Sequence, residues 1–297
     1  MNQVTVALLA IYVIWGSTYL GIHYALESFP PLALSGSRFL AAGLLVYGLL
    51  GRRAVPATRR HWFSAALVGL FMLVAGNGLV TWAELTVTSG QTAVLLATTP
   101  LWMTLWSAWK KGYPGHATVA GLGLSTWGVT TLMSEPGQWS WGVLAILLAA
   151  LGWAVGSVLS TVLPKPAGTV QFSAMTMICS GLMLGLLSLA RGEAFPTQVT
   201  PVALAAWLYL TILGSVVGLT AYTWLLHNAS ATLVATHTYV NPMVAVGLAY
   251  LAGEALPAQM PMGATLIVLG VALISLQGVR WPDRLFRPYM PLIGPVR

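Results

Sequence analysis

The chain has 297 residues, of which 57% are hydrophobic and only 6% are charged, whereas soluble domains carry about 25% charged residues. So few charges cannot cover a water-facing surface, which excludes a soluble globular protein. The net charge is +7 at pH 7, but the basic residues lie in short loops between apolar runs, which indicates membrane topology and not a nucleic-acid surface.

Apolar segments recur along the whole chain, each close to the roughly 20 residues that a membrane-spanning helix requires. In chain order they lie at about 4–24, 31–50, 62–83, 89–109, 117–133, 140–162, 170–190, 202–226, 231–252 and 262–279. Prolines and glycines mark most of the joints, and most loops are too short to hold a soluble domain. The sequence therefore predicts an all-α integral membrane protein with ten transmembrane helices.

The charges in the loops predict the orientation. With the N-terminus in the cytoplasm, eleven of the thirteen basic residues lie on the inner side, Arg191 alone lies on the outer side, and Arg38 lies within a helix. This bias agrees with the positive-inside rule, so we expect both termini in the cytoplasm and the helices in the inner membrane. The remaining segment, 280–297, is predicted to be a basic cytoplasmic tail near anionic lipid headgroups.

The two halves of the chain resemble each other in the order of their motifs. Each half holds five predicted helices, and an odd number makes the second half enter the membrane from the opposite side. We therefore predict two inverted repeats, 1–134 and 140–279, an arrangement that recurs in secondary transporters. The corresponding residues are Trp15 with Trp153, Gly78–Trp82 with Gly218–Tyr222, and Thr99–Leu101 with Asn241–Met243.

Three short stretches carry a resemblance to a known family: IWGSTY at 14–19, SRFLAA at 37–42 and TTPL at 98–101. Together with the helix count and the duplication, they resemble the EamA-type branch of the drug/metabolite transporter superfamily over about 4–279. The resemblance implies an exporter of amino acids, metabolites or drugs, with a central cavity lined by both halves. Small four-helix members of the superfamily rely on a glutamate in the first helix, which this chain lacks.

Bulky and polar residues near the middle of several predicted helices are candidates for a substrate site. Tryptophans at this depth cannot belong to an interfacial belt, so they are either core filler or an apolar wall of a binding site. A lone histidine at this depth is either a hydrogen-bonded core residue or a group that titrates near neutral pH. The candidates for substrate binding are Trp15, Asn77, Trp102, Trp153, His237, Tyr239 and Asn241.

Paired prolines and paired aromatic residues predict helix bends and gates at equivalent positions of the two halves. Pro100 and Pro242 each remove a backbone hydrogen bond and bend their helices, and the carbonyl groups that they release need a partner or a cavity. Two inert kinks in packed helices remain the alternative. Trp82, near the outer end of its helix, and Tyr222, near the inner end, are predicted to be matching gates.

Arg38 is the charge that is costliest to bury. It lies roughly 12 Å below the outer boundary of its helix, at about 1.5 Å of rise per residue, and an intramembrane arginine needs a partner. Glu84 is the nearest predicted acid attached to a helix. One interpretation is an outer gate or an anchor for a substrate carboxylate, and the other is a structural residue held by carbonyl groups at a helix end.

The sequence lacks a phosphate-binding glycine loop, paired carboxylates, a nucleophile with a base and a metal cluster. We therefore predict no cofactor, no metal and a secondary transporter, which exports a small amphipathic substrate by alternating access. The alternative is an integral-membrane enzyme that acts on lipid-linked substrates. Expected partners are the substrate and membrane lipid, in a monomer or weak dimer, and proton coupling, exchange and passive transport all stay open.

Overall fold

A computed structural model describes residues 3–102, 116–134, 140–229, 233–234 and 236–276. Within these ranges the chain is helical and contains no strand. The helices are α1 Gln3–Ala25, α2 Pro31–Leu50, α3 Arg59–Ala83, α4 Ser89–Leu96, α5 His116–Leu132, α6 Trp141–Val162, α7 Thr169–Ala190, α8 Pro201–Asn228, α9 His237–Leu251 and α10 Met260–Leu276.

Six of the described helices, α1, α2, α3, α6, α7 and α8, are long and apolar enough to cross a membrane. Helices α9 and α10 contain shorter apolar stretches, and α4 is followed by a second helical stretch at 99–102. The rest of the predicted segment 89–109 and the tail 280–297 lie outside the described residues. The all-helical membrane class is confirmed, whereas the count of ten spanning helices stays a prediction.

The predicted ends of the long helices agree with the structure to within three residues. The largest difference lies at α3, which was expected to begin at 62 and instead begins at Arg59. Its start is set by a reciprocal cap, in which Thr58 accepts a hydrogen bond from the backbone of His61 and the His61 side chain accepts one from the backbone of Thr58. Such a cap satisfies backbone donors that the first turn of a helix leaves without partners.

One end of the bundle, here called the acidic end, contains the α1–α2, α3–α4, α7–α8 and α9–α10 loops. Two loop carboxylates cap helices there. Glu193 accepts a hydrogen bond of 2.9 Å from the backbone of Ala33 in α2, and Glu254 accepts one of 2.9 Å from the backbone of Ser89 in α4. Both lie where the helix dipole favours a negative charge, so these acids have a structural role.

The opposite end, here called the basic end, contains the α2–α3 loop, the α6–α7 loop and the end of α8. Gln171 of α7 holds the α2–α3 loop, since its side chain donates to the carbonyl of Val55 at 2.7 Å and accepts from its backbone nitrogen at 2.9 Å. The described basic residues of this end are Arg52, Arg53, Arg59, Arg60 and Lys165. Burial lowers the pKa of Lys165 to about 8.

Helices α3 and α8 share an irregularity near their middles. Residues Leu70–Gly78 of α3 and Leu210–Leu219 of α8 form wider π-helical turns. Such turns are rare and commonly occur at functional sites, because they shift the hydrogen-bonding register and expose backbone carbonyl groups. Both π segments lie beside the central cavity that is described below.

Small residues allow several helices to approach closely. A side chain at Gly43 of α2 would lie 2.8 Å from Ile178 of α7, and one at Gly181 of α7 would lie 2.5 Å from the backbone of Leu40. Helices α5 and α10 meet in the same way, because a side chain at Gly128 would lie 2.8 Å from the carbonyl of Gly263. Close backbone approach at small residues is the usual way in which helices associate within a bilayer.

We expect Gly43→Ala to lower the free energy of unfolding by about 1–3 kcal/mol, because the added methyl group overlaps the α7 backbone. Thermal unfolding of the purified protein in detergent, followed by tryptophan fluorescence, measures the change. Gly48→Ala in the same helix is the matched control, since nothing lies within 4 Å of a side chain built there. Equal unfolding temperatures for the two variants would contradict the close α2–α7 packing.

Candidate functional site

A central cavity of about 90 Å³ lies among α1, α2, α3, α4, α6, α8 and α9. It has room for several ordered waters and is smaller than the roughly 300–1,000 Å³ of a typical site for a drug-sized ligand. The cavity brings together residues that were predicted from the sequence, on five different helices. Those that line it are Trp15, Arg38, Asn77, Trp153, His237, Asn241 and Pro242.

Four rings pack together where the cavity faces the basic end, and we call them the aromatic cluster: Trp15, Trp153, Tyr222 and His237. The centre of the Trp15 ring lies 5.4 Å from that of Trp153, 5.0 Å from that of Tyr222 and 5.6 Å from that of His237. The ring centres of Tyr222 and His237 are 5.5 Å apart. These are the distances of favourable edge and tilted contacts, so the four rings form a packed floor on this side of the cavity.

Hydrogen bonds fix the orientation of the aromatic cluster. The hydroxyl groups of Tyr222 and Ser157 are 2.9 Å apart, and Trp153 donates to the Tyr222 hydroxyl at 3.4 Å. Trp15 donates through its indole nitrogen to the carbonyl of Gly214, at 3.1 Å, within the π segment of α8. The cluster therefore joins α1, α6, α8 and α9 on the basic side of the cavity.

Arg38 is the permanently charged side chain in the described lining of the cavity. The residue is 2% exposed, and its guanidinium donates to the side-chain oxygen of Asn77 in the π segment of α3. Its carbon Cζ lies 4.6 Å from the centre of the Phe39 ring. The nitrogen Nε has no partner among the described residues, so the cation keeps a donor for a further ligand.

The predicted direct pairing of Arg38 with Glu84 is wrong for this structure. Both carboxyl oxygens of Glu84 are buried without a hydrogen-bond partner in the described part of the chain. The neutral amide of Asn77, which lies closer to the cavity, takes the place of the acid. Glu84 lies one helical turn beyond the last α3 residue that lines the cavity, Val80, so it faces the acidic end.

Each kinked helix uses the residue before its proline to bind a nearby backbone carbonyl. Helix α4 ends at Leu96, and the Thr99 hydroxyl donates at 2.7 Å to the Leu96 carbonyl, which Pro100 leaves without its helical donor. In α9, which continues through Pro242, the amide nitrogen of Asn241 lies 3.1 Å from the carbonyl of His237 and 3.3 Å from that of Tyr12. In α4 a side chain thus binds the carbonyl that the proline frees, whereas in α9 Asn241 binds carbonyls beside the one that Pro242 frees, which is that of Thr238.

Several predicted site residues do not line the cavity. Trp102 lies outside it, with an indole nitrogen that has no partner among the described residues, because depth along a helix does not determine which face a side chain occupies. Trp82 is 37% exposed and lies on the face of α3 opposite Val80 and Glu84, since residues four apart share a face. Trp82 thus faces away from the cavity in this structure, and its role in a gate stays a prediction.

Two further predicted residues have other positions. Tyr222 is packed inside the aromatic cluster and is 2% exposed, so it forms part of the floor and does not line the cavity. Pro100 also lies outside the lining, whereas Thr99, the residue before it, lines the cavity. The side chain of Tyr239 lies outside the described part of the chain.

Sequence reasoning missed several polar residues that line the cavity, including Thr18, Thr99 and Ser215. Ser215 belongs to the π segment of α8, and Thr18 follows Trp15 by one turn. Both hydroxyl groups donate to carbonyls of their own helices, at 3.0 Å and 2.7 Å, so they are easily taken for helix packing residues. Proximity to a predicted midplane tryptophan is the signal that points to Thr18.

The chain matches the EamA-like transporter family twice, over residues 4–134 and 140–276. It is 36% identical to the uncharacterized inner membrane transporter YedA of Escherichia coli, over 98% of this chain and 94% of that protein. It is 25% identical to the uncharacterized transporter YoaV of Bacillus subtilis, over 91% and 96% of the two chains.

A solved crystal structure has the same fold, with a TM-score of 0.64 and 22% identity over 92% of this chain and 96% of that chain. The resemblance to the family that the sequence motifs indicated is confirmed. Within the described ranges, no group of three His, Cys, Asp or Glu side chains is placed to hold a metal ion.

We expect Asn77→Leu to destabilise the protein by about 2–3 kcal/mol, because it removes a hydrogen bond to a buried charge. Asn77→Asp keeps an acceptor beside Arg38 and should retain most of the stability. Thermal unfolding in detergent compares both with the control Asn228→Leu, which removes an exposed amide at the basic end. A melting temperature of Asn77→Leu equal to that of the control would show that Arg38 does not depend on Asn77.

Proposed function

The chain belongs to the EamA-like transporter family, and we propose that it exports small amphipathic molecules, such as amino acids and drug-like compounds, by alternating access. Its family and its relatives make it a multi-pass transporter of the inner membrane. The observation that carries the finer proposal is the central cavity, which combines aromatic walls, neutral hydrogen-bonding groups and one buried arginine.

The chemistry of the lining supports an amphipathic substrate with a carboxylate group. Trp15 and Trp153 offer flat apolar surfaces that cost little side-chain entropy on binding. Arg38 offers a cation with an unused donor, and guanidinium groups bind carboxylates well. Asn77 and Ser215 add neutral polar contacts. Recognition by a few groups of this kind is broad and suits a family of related molecules.

The small volume of the cavity supports a conformational cycle. At about 90 Å³ the cavity is below the size of a typical ligand site, so the surrounding helices must separate when a substrate enters. The aromatic cluster closes the path to the basic end. A transporter that moves a substrate through such a site must open one end while the other stays closed, which is the alternating-access cycle.

Contacts between the two halves support the inverted repeat. Gly43 of α2 meets Ile178 of α7, and Gly181 of α7 meets Leu40 of α2. Positions 43 and 181, and likewise 40 and 178, are 138 residues apart. The same contact therefore occurs twice with the roles of the halves exchanged, which is the relation that a two-fold axis in the membrane plane requires.

Trp15 of α1 and Trp153 of α6 are also 138 residues apart, which supports the same register for the first two helices of each half. Helices α3 and α8 are related at a larger separation, because Gly218 of α8 meets Trp15 and Gly76 of α3 meets Trp153. Gly76 and Gly218 are 142 residues apart. The sequence comparison paired Gly78 with Gly218, which differs from this register by two residues.

We place the basic end in the cytoplasm, in agreement with the positive-inside rule. In the background Cys179→Ala, a cysteine at position 56 should react with a membrane-impermeant maleimide only after the cells are opened. A cysteine at position 194, in the α7–α8 loop, should react in intact cells. Labelling of position 56 in intact cells would contradict the orientation.

The proposed function is tested by flux in proteoliposomes, with a panel of labelled amino acids and drugs in the presence and absence of a pH gradient. Within the panel, phenylalanine and phenylalaninamide form a matched pair that differs in the carboxylate. We expect Arg38→Gln to raise the apparent transport constant of the acid about tenfold or more, which is the loss of one charge-assisted hydrogen bond, and to affect the amide much less.

The two substrates are compared on the same protein sample, so a partial loss of folded protein affects both equally. An equal loss for the acid and the amide would leave Arg38 with a structural role only. Failure of every compound in the panel to move faster than in protein-free liposomes would contradict this substrate class. The lipid-facing variant Trp127→Ala controls for a general effect of substitution, since Trp127 is 62% exposed.

A further inference from the structure

Glu84 lies in the wall that separates the central cavity from the acidic end. Beyond this wall is an open cleft of about 380 Å³, here called the acidic cleft, which is lined by His23, Glu84 and Glu254 among others. Along α1 the cavity lining ends at Ile22 and the cleft lining begins at His23, and along α3 the change occurs between Val80 and Glu84. The wall is therefore about one helical turn thick.

The carboxyl group of Glu84 has no bonding partner within this wall. Glu84 is 6% exposed, and both of its oxygens are buried without a hydrogen bond among the described residues. This differs from Glu193 and Glu254, which cap helices at the same end. A buried carboxylate without partners costs several kcal/mol, so the arrangement favours the neutral acid.

Four ionisable side chains surround Glu84 from neighbouring elements: Tyr19 and His23 of α1, Arg38 of α2, and Glu254 of the α9–α10 loop. Glu84 directly follows the α3 span. Burial raises the pKa of its carboxyl well above the ordinary value, Glu254 raises the pKa further, and Arg38 lowers it. The protonated acid thus persists to a higher pH than in water, and it ionises as the pH rises through this raised pKa.

The wall at the acidic side differs in chemistry from the floor at the basic side. At the basic side of the cavity, the hydroxyl groups of Tyr222 and Ser157 are 2.9 Å apart. At the acidic side, the wall contains the carboxyl group of Glu84, which is an ordinary titratable acid where the floor has a phenol.

We propose that Glu84 is a proton-binding site that controls the barrier between the central cavity and the acidic cleft. The neutral acid stays buried and keeps the wall closed, as in this structure. The ionised form requires either water from the cleft or the unused Nε donor of Arg38, and either demand moves the side chains that form the wall. Loss of the proton therefore opens the cavity toward the acidic end.

This proposal rests on the proposed function, because the barrier controls access to the proposed substrate site. The pH dependence of the barrier can nevertheless be tested without a substrate. In the background Cys179→Ala, Thr18→Cys places a thiol in the cavity, and a small, charged methanethiosulfonate reagent is applied to right-side-out membrane vesicles. The rate of modification at Thr18→Cys is divided by the rate at the exposed position Ala194→Cys. This ratio removes the pH dependence of the thiol reaction itself, which both positions share. We expect this ratio to rise about tenfold over the two pH units that span the titration of Glu84.

Glu84→Gln, which is neutral at every pH, should hold the ratio at its low-pH value. Glu27→Gln is the matched control, because it removes an exposed acid at the same end and should leave the pH response intact. If Glu84→Gln does not give a monodisperse protein, Glu84→Asp replaces it, and the midpoint of the response should then shift by at least about half a pH unit as the carboxyl position changes.

A ratio that does not depend on pH, an unchanged response in Glu84→Gln, or an unshifted midpoint in Glu84→Asp would overturn the proposal. These outcomes differ from failure of the proposed function. A protein that moves none of the labelled compounds can still show a pH-dependent barrier, and a protein that transports them can lack one.

Discussion

The bilayer supplies no hydrogen bonds, and this constraint determines most of the structure. Every backbone or side-chain polar group within the spans must find its partner inside the protein. Where the helices are regular this happens automatically. Where they bend or widen, at the two prolines and in the two π segments, side chains such as Thr99 and Asn241 bind carbonyl groups beside the bends. The irregular backbone is thus confined to the part of the bundle that surrounds the cavity, where polar groups can also serve a substrate.

The same constraint explains the position of Arg38. A buried guanidinium is tolerated only if several of its donors are satisfied, and in this chain one neutral amide and the face of an aromatic ring share that task. Asn77 satisfies a donor without neutralising the charge. A carboxylate in its place would cancel the positive potential of the cavity, whereas the amide leaves the cation able to attract an anionic group.

The sequence predicted the positions of the helices well because apolar run length and proline placement determine them directly. It also predicted the depth of Trp15, Trp153 and Asn241, because depth follows from counting along a helix. It could not predict the facing of side chains near the irregular turns, where the helical period is interrupted. Trp102 was placed at the site by its depth, and Trp82 was placed at a gate by its match with Tyr222, yet both lie outside the cavity.

The two barriers contain different titratable groups, Tyr222 at the basic side and Glu84 at the acidic side, and this difference has a physical consequence for direction. Two inverted repeats with identical barriers would open to either side equally often in the absence of a gradient. A phenol such as that of Tyr222 ordinarily titrates near pH 10, which is about 6 pH units above an ordinary carboxyl group. A proton gradient can therefore act on the barrier that contains Glu84 and leave the aromatic cluster unaffected. Since a ligand shifts a conformational equilibrium only through its different affinities for the two states, a proton that binds at one barrier alone gives the cycle a preferred side.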